Sequence, residues 1–180
     1  ILIGGIAWNH LDAANQKNIV AKVEAGCSLV YVYPVGINDA LAAILPVQEP
    51  AENKNVSSGA WTRHGRHFIT DGIPFAALPT AFCFRYAAAE PLLSCDGQAL
   101  AAVRELLHSR VVALTHPVGF PGSQTGKPWW AGGGLTPTAA TYEEADSSLA
   151  YPYHEYFYAL LARAILWAAH REPPLTISTV

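Results

Sequence analysis

Residues 1–34, ILIGGIAWNHLDAANQKNIVAKVEAGCSLVYVYP, read as a complete strand, helix and strand. Ile1, Leu2, Ile3 and Ile6 form one apolar run, residues 11–25 carry a helical pattern, and residues 28–33 return as a second apolar run. A strand that returns through a helix lies parallel to the first, because a parallel pair needs a crossover of about a dozen residues. Asp12 is placed to cap the helix, its carboxylate accepting from the free backbone N–H groups of the first turn. Ile19, Val20 and Val23 then share one face of a 3.6-residue period, while Asn15, Lys22 and Glu24 look outward. Ala25-Gly26 stops the helix, since glycine takes the left-handed conformation there without steric cost. Leu29, Val30, Tyr31, Val32 and Tyr33 are apolar throughout, the pattern of a central strand covered on both faces.

Outward from this unit, Pro34 and Gly36 close the strand, and Asn38 or Asp39 can cap a short helix over residues 40–45. Residues 48–59 are polar and read as a surface loop. Residues 61–79 mix His64, Arg66, His67 and Asp71 with apolar positions and predict irregular structure with a turn at Asp71-Gly72. Residues 81–86 and 92–94 read as strands, the latter followed by a turn at Asp96-Gly97. Residues 98–108 stay open between a helix on Leu100, Val103 and Leu107 and a hairpin partner. Residues 110–114 repeat the pattern of a buried strand and end at Thr115, His116 and Pro117. Residues 119–141 are rich in glycine and proline and carry Trp129 and Trp130, and a loop this long in a compact domain is commonly functional. Pro152 can start a final helix whose Phe157, Leu160, Leu161, Ala164, Ile165 and Ala168 form a wide apolar stripe, stopped by Pro173-Pro174.

At 180 residues the chain suits one domain, residues 1–180, able to bury about two thirds of its unfolded surface. Charged residues are only 14%, against about a quarter in most soluble proteins, which predicts surface covered by another domain or by a second copy. A net charge of -3 offers no basic field for phosphate backbones, so nucleic acid is not an expected partner. No apolar run approaches the roughly 18 residues of a membrane helix, so no membrane association is expected. The 3 cysteines, Cys27, Cys83 and Cys95, have spacings that fit neither a disulfide framework nor a zinc site, and packed thiols are expected. The chain holds no methionine and opens on Ile1 in mid-strand, the pattern of a fragment or a processed chain.

The runs AGCSLVYVYP, LAAILPV, HFITDGIPFAALP, RVVALTHP and YHEYFYALLARAILWAAHREP together resemble the class I glutamine amidotransferase-like domains. That resemblance implies a flavodoxin-like fold, and relatives in carbohydrate-active proteins, including the trimerisation domain of some β-galactosidases. It also implies that residues 98–105 pair as a strand with residues 110–114. The expected fold is thus a three-layer α/β sandwich around a mostly parallel, flavodoxin-like sheet of about five or six strands. Active members of the family carry a nucleophilic cysteine in a Gly-x-Cys-x-Gly turn after a strand, and a later His-x-Glu pair. Gly26-Cys27-Ser28 instead precedes its strand, on the wrong edge for a nucleophile. His170-Arg171-Glu172 matches the pair in letters but follows a helix.

In open parallel sheets ligands bind beyond the carboxyl ends of the strands. That rule selects Trp8, Asn9 and His10 after the first strand, Tyr33 at the end of the second, His116 after the later one, and His154 and Glu155 at the start of the last helix. The set suits a sugar or another small neutral polyol, with aromatic faces for C–H surfaces and His or Glu for hydroxyls. The same residues also suit packing and loop satisfaction. His64 and His67 have no third ligand at fixed spacing, so no metal is expected, and no Gly-rich phosphate signature implies another cofactor. The expected role is a non-catalytic or divergent amidotransferase-like domain that binds a small ligand or supports assembly. The alternatives are a hydrolase using His116 or His154 with Glu155, and a purely structural oligomerisation domain.

Overall fold

The capping carboxylate of Asp12 accepts the Asn15 backbone N–H at 2.8 Å and begins helix α1, Ala13–Glu24. The computed structural model that shows this describes residues 1–4, 6–49, 57–77, 81–83, 86–115 and 154–173. Val23 is fully buried, with Ile19 and Val20 packed against the same cluster, as the 3.6-residue period requires. The helix stops at Gly26, φ 108°, where an added Cβ would lie 3.1 Å from that of His108. Strand β1, Leu2–Gly4, and strand β2, Leu29–Val32, flank the helix and pair in parallel, Ile3 opposite Tyr31.

The chain continues through α2, Asp39–Ala42, whose Leu41 N–H donates to the Asn38 side chain at 3.0 Å. The strands β3, Ser57–Gly59, β4, Trp61–Arg63, β5, Ala81–Cys83, β6, Pro91–Cys95, β7, Gln98–Glu105, and β8, Arg110–Leu114, follow, and then helix α3, His154–Ala168. Six strands form one sheet in the order β1-β2-β8-β7-β6-β4, while β3 and β5 pair separately. Residues 119–141 and Pro152 lie outside the described residues.

The expected mostly parallel, flavodoxin-like three-layer sandwich is not what forms. β1–β2 and β2–β8 are parallel, but β8–β7, β7–β6 and β6–β4 are antiparallel, and the described residues hold three α-helices. The cause is connection length. Asp96 and Gly97, at φ 48° and 75°, make a two-residue turn between β6 and β7. Both residues at positive φ match the right-handed twist of a hairpin, a geometry that Asp-Gly favours. Residues 106–109 then join β7 to β8, with the Leu106 N–H on the Ser109 carbonyl at 2.9 Å. Neither connection can hold a crossover helix, so both strands return antiparallel.

Both faces of the sheet are covered. Leu29, Tyr31, Val111 and Ala113 face Val23 of α1 and Leu41 of α2, and the alternate residues Val30, Val32, Val112 and Leu114 face Leu160, Ala164 and Trp167 of α3. The period of two along β2 and β8 therefore explains why both read as apolar throughout. Each fully buried Leu or Val contributes about 1.5–3 kcal/mol relative to exposure.

Candidate functional site at the carboxyl ends of the parallel strands

β1, β2 and β8 end on one rim because they pair in parallel. The chain leaves β1 through a 3-10 turn, Trp8–His10, tied by the Trp8 N–H to the Val35 carbonyl at 2.7 Å. The Gln16 amide locks the same turn by donating to the carbonyls of Trp8 and Leu11, each at 2.9 Å. Asn9 and His10 are exposed on it. Beyond β2, Gly36 at φ 72° lies against Asn9, and a Cβ there would sit 3.1 Å from Asn9 Oδ1. The glycine thus gives Asn9 its place.

Tyr33 occupies the end of β2 with φ 56°, while its N–H donates to the Leu114 carbonyl at 2.7 Å. A bulky residue in the left-handed region costs on the order of 1–3 kcal/mol and persists only where its surroundings hold it. Phenols crowd the same region. Tyr31 donates to the Ile6 carbonyl at 2.7 Å, and Tyr86 to the Pro34 carbonyl. Burial, and then the Glu49 carboxylate, push Tyr31 up to about 12 and raise Tyr33 and Tyr86 as well. All three stay neutral donors at ordinary pH. Glu49 itself accepts the Ile37 N–H at 2.8 Å.

The structure brings together part of the expected set. Asn9, His10 and Tyr33 share the rim, but Trp8 is 1% exposed and packs on Tyr31 with ring centroids 6.3 Å apart. It is core, not a platform, although its Nε1 has no hydrogen-bond partner among the described residues. His116 lies outside the described residues, as do the side chains of His154 and Glu155. The backbone of His154 opens α3. Arg110, at the start of β8, donates to the Trp167 carbonyl at 2.9 Å, so α3 ends at the opposite rim and its first turn points toward the site.

Cys27 precedes β2 at the amino edge of the sheet, as expected, but it is exposed rather than packed. Cys95 is buried, and the Cys83 side chain lies outside the described residues. His64 and His67 part company: His64 Nε2 is 2.7 Å from the buried Ser94 Oγ, and the His67 ring lies 5.3 Å from that of Trp167. The His64–Ser94 contact was invisible in sequence, because the two are 30 residues apart and meet only through the pairing of β4 with β6. His170 ends α3 at φ 54°, and Glu172 pairs with Arg110. Among the described residues no three His, Cys, Asp or Glu side chains gather as metal ligands.

No protein-family model matches the chain, and no curated protein matches it. Among solved structures, it is similar to the cytoplasmic protein STM3548 from Salmonella typhimurium, with 15% identity and a TM-score of 0.59. The match covers 93% of this chain and 70% of that one. At that identity the likeness is one of fold.

Proposed function

We propose that the chain binds a small neutral polyol such as a sugar at the rim of β1, β2 and β8. The observation that carries this reading is Tyr33, an aromatic residue kept in left-handed backbone where the central parallel strand ends, on the same rim as the exposed Asn9 and His10. Strain of this kind clusters at ligand sites. The chemistry on offer there is an amide, an imidazole and phenols that do not ionise. The Glu49 carboxylate near the tyrosines disfavours anionic ligands.

The test is a two-dimensional NMR titration with a panel of neutral mono- and disaccharides at millimolar concentration. Binding is expected to shift the amides of Asn9, His10, Tyr33 and Gly36, and Asn9→Ala is expected to weaken it. A panel that leaves these amides unmoved, or shifts a different surface, refutes the proposal.

A role in assembly is the second reading. Leu2 and Ile6, on or next to the edge strand β1, are 56% and 47% exposed, and Ile165 and Leu166 on α3 are exposed as well. A bare apolar edge without charged residues is open to pairing. Light scattering that shows a monomer at high concentration sinks this reading.

A further inference from the structure

His67 sits where the segment after β4 folds back on the carboxyl end of α3. Its carbonyl accepts the N–H groups of Thr70 and Asp71, both at 2.9 Å, closing a helical turn. Its ring packs on Trp167 at 60°, and its Nδ1 accepts the N–H of the fully buried Ile69 at 3.2 Å. An imidazole that accepts through Nδ1 has no proton there. Arg163 of α3 fastens the same turn, donating to the carbonyls of Phe68 and Asp71.

The charges around this ring are largely matched to one another already. Asp71, in the same segment, faces Arg63 at 3.5 Å and Arg66 at 3.9 Å. Glu105 of β7 and Glu172 beyond α3 are both paired with Arg110 of β8, whose guanidinium stands 4.6 Å over the Trp167 ring. The three carboxylates favour a protonated His67 and Arg110 opposes it, but burial outweighs them all and lowers the imidazole below its ordinary value.

We propose that His67 is a proton-operated latch, which holds the segment after β4 on the end of α3 while its ring is neutral and releases it on protonation. A released His67, in water, titrates near the ordinary value of about 6.5. The latched ring binds its proton less tightly than the released one. The latch is therefore fully closed above about pH 6.5, and loosens as pH falls from there through the lower latched value.

Hydrogen exchange and NMR between pH 7.5 and 5 test this on the whole chain. The Ile69 amide, corrected for intrinsic exchange, is expected to keep its protection above about pH 6.5 and to lose it below, by at most about tenfold per pH unit. The Trp167 indole signal should move with the same midpoint, while Val112 in β8 keeps its protection. His67→Phe keeps a ring against Trp167 but cannot titrate, and exchange at Ile69 should then be independent of pH. Flat protection in the wild type, or a pH dependence that survives in His67→Phe, overturns the proposal. Should that variant fail to fold, direct titration of the His67 ring in the wild type decides, since a midpoint at or above the ordinary imidazole value also overturns it.

Discussion

Arg110→Met should be the most damaging single change outside the apolar core, because one guanidinium fastens α3 to the sheet. It donates to the Trp167 carbonyl at 2.9 Å, pairs with Glu172 and with Glu105 at 3.2 Å, and stands over the Trp167 ring. Methionine keeps the stem's apolar contacts, and the backbone N–H of residue 110 still reaches Ser28 Oγ at 3.0 Å. What is lost is a charge-assisted hydrogen bond, worth about 1.5–3 kcal/mol. The cation–π contact adds about 0.5–1 kcal/mol. The pair with Glu105, a side chain 65% exposed, adds only about a few tenths. Glu172, at 27% exposure, regains part of its hydration once freed. The total is about 3 kcal/mol, which at a urea m-value of about 2 kcal/mol/M lowers the unfolding midpoint by about 1.5 M. Arg110→Lys should recover less than half of that, since an ammonium cannot reproduce the fork. A midpoint shift below about 0.3 M with an unchanged m-value would refute the assignment of this residue as the fastening point.

Two further outcomes follow from backbone and exposure. Tyr33→Val should destabilise more than Tyr33→Gly, by about 1–2 kcal/mol in urea unfolding, although glycine removes the larger side chain; the reverse order would mean that φ 56° is not a strained position. Cys27 should react with a thiol reagent in the native protein, so Cys27→Ser should remove one thiol equivalent from the fast phase and Cys95→Ser should remove none.

The opening unit could be read from sequence because each signal in it is local. Asp12 caps what it precedes, Gly26 stops what it follows, and the twelve residues of α1 between them leave β1 and β2 only a parallel pairing. The fold class was misjudged for a reason equally local. Asp96-Gly97 announces a hairpin, and residues 106–109 are too few for a crossover, so the two connections together turn half of the sheet antiparallel. A mostly parallel sheet would need a crossover helix at each of these two connections, and neither has room for one. Burial of the individual side chains was less readable. Trp8, at the rim by position, is drawn into the core by Tyr31, and nothing in the spacing distinguishes it from the exposed Asn9 that follows.

The mixed sheet nevertheless leaves the candidate site where the parallel reading put it. A rim needs only neighbouring strands that end together, and β2 and β8 do so, Val32 opposite Leu114. The reversal begins one strand further on, at β7, whose first residues run past the end of β8 so that the Leu100 carbonyl accepts the Thr115 N–H at 2.9 Å. That overhang carries β7 to the rim where β2 and β8 end. The antiparallel half thus adds a neighbour to the rim without altering which parallel strands end on it. Tyr33 follows β2 at this rim with its N–H held by the last carbonyl of β8, so the parallel pair anchors its left-handed backbone.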